Sequence, residues 1–216
     1  MTDTPINHHL TDAVLMAYAA GSLPEAYSLV VACHISLCPQ CRSALQGFEA
    51  LGGAVLEQSG SAALSDGALV ATLAKIANQP EATPQKQYPV SAFPVPLQKY
   101  IGGGPEQVQW RKIGAGVKQA ILPTSKDASA RLLYIPAGMA VPDHSHNGLE
   151  MTLVLQGAFA DEVDRFARGD VEFGDENLTH TPIAEVGPDC ICLAATDAPL
   201  KFKGIIPRLL QPFINI

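Results

Sequence analysis

GMAVPDHSHNGLEMTLVLQG, residues Gly138 to Gly157, is the stretch on which the fold turns. It reads G-x5-H-x-H-x3-E-x6-G, with His144, His146 and Glu150 between its bounding glycines. On a β-strand, residues i and i+2 point to the same face, so His144 and His146 project together into a barrel. Asn147-Gly148 forms a tight connection after which Glu150 returns a carboxylate to the same point. Two imidazoles and a carboxylate suit a first-row divalent metal. H-x-H alone is a weak signal, since surface histidines pair by chance. With both glycines and Glu150 in register, metal binding is the better reading.

This pattern resembles the first motif of the cupin barrels, intact from Gly138 to Gly157. The resemblance implies a fourth ligand downstream, and His180 is the only histidine beyond His146. The second cupin motif, G-x5-P-x-G-x2-H-x3-N, is met in part. Gly169 starts it and Phe173-Gly174 takes the turn, but no proline precedes that glycine. Five residues separate Gly174 from His180, and nothing matches the terminal Asn. The longer loop carries Asp175 and Glu176, which compete with His180 for the fourth position. Cys190-Ile191-Cys192 places two thiols on one face of an expected strand. If that face lines the barrel they are oxidation targets near the metal; otherwise they are small buried residues filling its interior. Trp110 and Tyr134 read as core aromatics, and Asp161-Glu162-Val163-Asp164-Arg165 as a solvated hairpin.

The chain has 216 residues, an apolar content of 47% and a formal net charge of −7. That suffices for one large domain or two small ones. The acidic balance argues against direct nucleic-acid binding, which needs basic stripes. No Lys or Arg precedes Arg42, so a signal-peptide n-region is missing, and no apolar run reaches the length of a membrane span. A soluble, cytoplasmic protein is expected. Cys33, Cys38, Cys41, Cys190 and Cys192 are clustered, as metal or redox cysteines are in a reducing compartment.

Two halves differ in period. Residues 1–78 read as a small all-α bundle: a helix from Thr11 to Ala20 stopped by Gly21, and a second opened by a Ser22-Leu23-Pro24-Glu25 capping box and running toward Ser36. Pro39 opens a third toward Glu57, and Ser65-Asp66 caps a fourth to about Asn78. Pro80, Pro84, Pro89, Pro94 and Pro96 mark residues 79–96 as a linker. From 97 to 216, short segments such as Val108–Ile113, Ala130–Ile135, Met151–Gln156 and Cys190–Ala194 alternate with Gly and Pro, the pattern of an antiparallel β-barrel or jelly roll. Residues 1–85 hold Arg42 and Lys75 against seven carboxylates, a net of −5. Such a module suits a basic surface on another protein.

His34-x3-Cys38-x2-Cys41 lies across the junction of the second and third helices. Three such ligands take three corners of a tetrahedron, and zinc would pin helices whose own core is small. The fourth corner falls to His8 or His9. Cys33 faces elsewhere and reads as a core thiol. The order His9, His34, Cys38, Cys41, with the runs Tyr18-Ala-Ala-Gly21 and Ser28-Leu-Val-Val-Ala32, resembles the zinc-binding anti-sigma domain of bacteria, and in particular the ChrR type that joins it to a cupin. The resemblance covers essentially the whole chain and selects His9 over His8. It implies one zinc per domain, an extracytoplasmic-function-type (ECF-type) sigma factor as partner, and a response to singlet oxygen and related oxidants that needs the cupin. A homodimer through the barrel's sheet edges is a further expectation. The competing reading is a metal-dependent cupin enzyme, a dioxygenase or isomerase with open metal positions.

Overall fold

The computed structural model describes residues 5–80, 88 and 91–202. The helices are α1 (Asp12–Ala19), α2 (Glu25–Leu37), α3 (Pro39–Glu57), α4 (Ala68–Ala77) and α5 (Val95–Ile101). The strands are β1 (Arg111–Gly114), β2 (Val117–Leu122), β3 (Ser129–Ile135), β4 (His144–Ser145), β5 (Glu150–Gln156), β6 (Ala158–Ala160), β7 (Arg165–Ala167), β8 (Val171–Gly174), β9 (Thr179–His180), β10 (Ile183–Ala184), β11 (Cys190–Thr196) and β12 (Lys201–Phe202).

Local chemistry sets the helix ends. The Thr11 hydroxyl accepts from Val14 N at the start of α1, and Gly21, at φ +67°, turns the chain out of it. Pro39 occupies the first turn of α3, where its missing N–H costs nothing. Two expected caps do not form. The cap of α2 is Pro24, because Ser22 Oγ donates back to Ala17 O and Glu25 is engaged elsewhere. The Glu25 carboxylate accepts from Tyr100 Oη and Ser125 N, both at 2.7 Å, tying α2 to α5 and to the β2–β3 loop. Gly67, not Ser65-Asp66, precedes α4, with Ala68 N reaching back to Ser65 O.

The main sheet runs β1-β2-β3-β11-β5-β8, and two three-stranded sheets, β10-β6-β7 and β12-β4-β9, close the barrel. All pairings are antiparallel. Both faces of the main sheet are covered. Leu132, Leu153, Leu193 and Ala195 face outward and share a core with Tyr27, Val30 and Val31 of α2. Cys192, Ala194, Thr152 and Glu172 face the barrel cavity. Every residue of β11 is therefore buried, which is why residues 190–195 are an apolar run rather than an alternation. Buried aliphatics such as Val30, Leu132 and Leu193 each contribute about 1.5–3 kcal/mol.

The helical segment and the barrel thus share one core. Pro84, Pro89 and Glu81 lie outside the described residues. The end of the expected linker is packed: Phe93 is buried and α5 begins at Val95. Val108–Trp110 precede β1 rather than extending it, and Trp110 and Tyr134 are half-buried, edge to face at 5.8 Å. By contrast α4 buries none of its residues, and the second half of α3 leaves Leu51, Val55 and Leu56 exposed. No helix among the described residues is long and apolar enough to cross a membrane.

Candidate metal centres

The helix junction brings His9, His34, Cys38 and Cys41 together, with one ligand atom from each within 4.8 Å of the others. His9 Nδ1 lies 3.3 Å from Cys38 Sγ and 3.6 Å from Cys41 Sγ. His34 Nδ1–H donates to Gly169 O at 2.8 Å, which leaves Nε2 buried, unpartnered and free to ligate. Burial pushes the His34 imidazole down to about 4 and the Cys41 thiol up to about 11. A thiolate in this place needs a cation beside it. Two sulfurs and two imidazole nitrogens at these separations are the donor set zinc takes in structural sites. His8 turns away, its ring tilted against Phe166 at 4.4 Å with Nε2 3.2 Å from Asp164. Cys33 is buried in α2, its thiol raised to about 12 by burial, and belongs to the core.

The barrel gathers His144, His146 and His180 in the same way. β4 pairs with β9 so that His144 stands opposite His180, their Nε2 atoms 3.2 Å apart. His144 Nδ1–H donates to Pro142 O at 2.9 Å, and both ring nitrogens of His146 are buried without a hydrogen bond. Glu150 stands at the edge of the cluster. Its Oε2 is 3.6 Å from His146 Nδ1, and its Oε1 accepts from Thr152 Oγ1 at 2.9 Å. Three convergent imidazole nitrogens with a carboxylate alongside fit a divalent transition metal. Asp175, one of the competing candidates, is exposed and accepts from Asn177 N, and Glu176 is exposed beside it.

Two carboxylates were not foreseen in the sequence. Asp161 is not solvated: one oxygen accepts from Val163 N and Asp164 N in the hairpin, and the other sits 2.6 Å from His180 Nδ1 with its side chain fully buried. Glu172 Oε1 lies 3.2 Å from the same nitrogen. Only the outer part of that hairpin is solvated, where Arg165 pairs with Glu185. Burial lowers His144 and His146. Burial alone would lower His180 too, but Glu172 and Asp161 outweigh it and carry His180 to about 9. Burial lifts Glu172 to about 7. A carboxylate on Nδ1 fixes the ring so that Nε2 faces the metal position. The signal for Glu172 was parity: it shares a strand face with Gly174, whose position abuts His146.

Gly174 leaves no room for a side chain, since a Cβ there would come within 2.6 Å of His146 Nε2. Gly174→Ala is expected to displace the His146 ring and weaken metal binding at the barrel by about 10-fold or more. Metal titration of the purified protein checks this, and unchanged affinity would refute the role given to His146.

Beside the histidines lies a cavity of about 350 Å³, walled largely by Val117, Leu133, Val141 and Phe159, with Arg131 and Glu150 among its polar groups. Cys192 lines it, 3.6 Å from Cys190 Sγ. Contact with Cys190 and burial raise the Cys192 thiol well above its ordinary value, so it stands as a neutral thiol.

Residues 99–198 match the family described as the ChrR cupin-like domain. The chain is 54% identical over 211 residues to the anti-sigma-E factor ChrR of Cereibacter sphaeroides, covering 98% of this chain and 99% of that protein. It also superposes on the crystal structure of Rhodobacter sphaeroides SigE in complex with the anti-sigma ChrR, with a TM-score of 0.80 and 54% identity, over 89% of this chain and 100% of that one. With both ligand clusters assembled on one helical and barrel fold, and an end-to-end relative at this identity, the chain belongs to the ChrR family.

Proposed function

We propose that this chain is a cytoplasmic anti-sigma factor. It sequesters an ECF-type sigma factor through its helical end, where zinc on His9, His34, Cys38 and Cys41 fixes the geometry. It releases that partner when an oxidative signal, of the singlet-oxygen kind, is read at the metal-binding barrel. The observation that carries the reading is the end-to-end match to an anti-sigma factor, together with an apolar face that no described residue covers. Leu69, Val70, Leu73 and Ile76 project from α4 into solvent at helical spacing, and Leu51, Val55 and Leu56 of α3 are exposed as well. A second metal at His144, His146, Glu150 and His180 would give the barrel its sensing site. The adjoining cavity, with Cys192 in its wall, gives a small oxidant or oxidised product access to it. A metal-dependent dioxygenase or isomerase is set aside, because the relative that matches end to end is a regulator.

The test is reconstitution of the full-length chain with its host's ECF-type sigma factor, followed by exposure to photosensitised singlet oxygen. The wild-type complex is expected to dissociate. With zinc in excess, so that the helical site is full in both proteins, His144→Ala should bind the sigma factor as tightly as the wild type and stay bound after exposure. Loss of sigma affinity in His144→Ala before any oxidant, or release at the wild-type rate, would contradict the division of labour between the two ends.

A further inference from the structure

The ligands of the helical site are held in place from the barrel. His34 Nδ1–H donates to Gly169 O at 2.8 Å. Asp170, which is 1% exposed, accepts Asn7 N at 2.7 Å and His8 N at 2.9 Å through Oδ1, and Ala167 N at 2.8 Å through Oδ2. Val171 N donates to His8 O at 3.2 Å, immediately before the ligand His9. Gly169 adopts φ +97° and packs so closely that a Cβ would meet Ile6 at 2.6 Å. The turn is itself anchored to β5 by reciprocal bonds, Gly169 N to Val154 O and Val154 N to Asp170 O. One residue further on, Glu172 reaches His180 Nδ1, and across the β5–β8 ladder it stands opposite Thr152, whose hydroxyl holds Glu150.

We infer that residues 169–172 form one brace shared by two metal sites, with Asp170 and Glu172 as positioning residues, so that metal occupancy of the barrel alters the affinity of the helical site. Movement of Glu172 when His180 is ligated or released is carried along two residues of strand to the carbonyl and carboxylate that orient His34 and His9. Coupling between binding sites is reciprocal, so filling the helical site changes barrel affinity by the same factor. The inference rests on both clusters holding a divalent metal.

Cobalt(II) in the full-length chain separates the two sites. Only the cluster with Cys38 and Cys41 gives a thiolate-to-cobalt charge-transfer band, whereas the barrel offers imidazole and carboxylate. Chelator titration of that band therefore reads the helical site alone. Asp170→Asn, which replaces one of two accepting oxygens by a donor, is expected to weaken cobalt there by about 10- to 100-fold, the usual effect of losing an outer partner of a ligand. His144→Ala touches neither the turn nor the thiolate cluster, and should shift the same titration at least 3-fold by emptying the barrel. An identical titration in the wild type and His144→Ala would overturn the coupling, whatever Asp170→Asn does. Absence of the band from the wild-type chain would instead defeat the metal reading of the helical site.

Discussion

Cys38→Ser is expected to strip the metal from the helical site and abolish sigma-factor binding, while the barrel stays folded. Cys38 has two roles at one atom. Its sulfur is a ligand candidate facing His9, and it caps α3 by accepting Cys41 N at 3.4 Å. A serine hydroxyl retains the cap but is a poor zinc ligand. Metal in small structural sites contributes about 10–16 kcal/mol of apparent binding free energy, as large as the whole stability of an ordinary domain. The losses should be uneven. α2 remains held by the sheet through Tyr27, Val30 and Val31, whereas α1 and α3 meet it largely through the metal cluster and the few buried side chains Leu15, Cys41 and Leu45. Elemental analysis should fall from two metals to one per chain, and amide exchange should rise in α1 and α3 more than in α2. A metal-free Cys38→Ser chain that bound its sigma factor with wild-type affinity would show that zinc does not shape the binding surface.

The paired substitution Leu69→Asp and Leu73→Asp is expected to weaken sigma binding by about 30-fold or more per site without lowering thermal stability. Interface anchors cost about 2 kcal/mol or more when lost, whereas exposed positions change stability by no more than about 0.5 kcal/mol. Leu69 and Leu73 are 69% and 56% exposed, so carboxylates there disturb nothing inside the chain. Calorimetric titration with the sigma factor, beside a melting curve of the free chain, reads both quantities. Unchanged affinity would place the interface elsewhere on the helices.

Much of the site was legible because its chemistry is local. The H-x-H spacing sets two imidazoles on one face, and the flanking glycines answer a backbone need. Gly138 and Gly157 sit at φ +75° and +69°, and a Cβ at Gly157 would strike Asp189 O at 2.8 Å. The cysteine cluster was legible for the same reason, with three of its members inside eight residues. The choice between His8 and His9 was not, except by resemblance, because it is made by the Asp170 carboxylate some 162 residues away. Asp161 was misread as solvated, since its burial depends on β9 bringing His180 against the hairpin. The shared core was the larger omission. Ala26, Tyr27, Leu29, Val30, Val31 and Cys33 are too many for one face of α2, and a helix apolar on several sides is covered on several sides.

The absence of buried residues in α4 has an evolutionary side. The buried positions of α2 answer to the sheet and to the neighbouring helices, so a change at one of them is felt by the whole fold. Among the described residues none buries a side chain of α4. If its apolar face is the partner's seat, it can drift in step with the partner while barrel and ligands stay fixed, so duplicated copies in one genome have a ready route to separate, non-crossing allegiances.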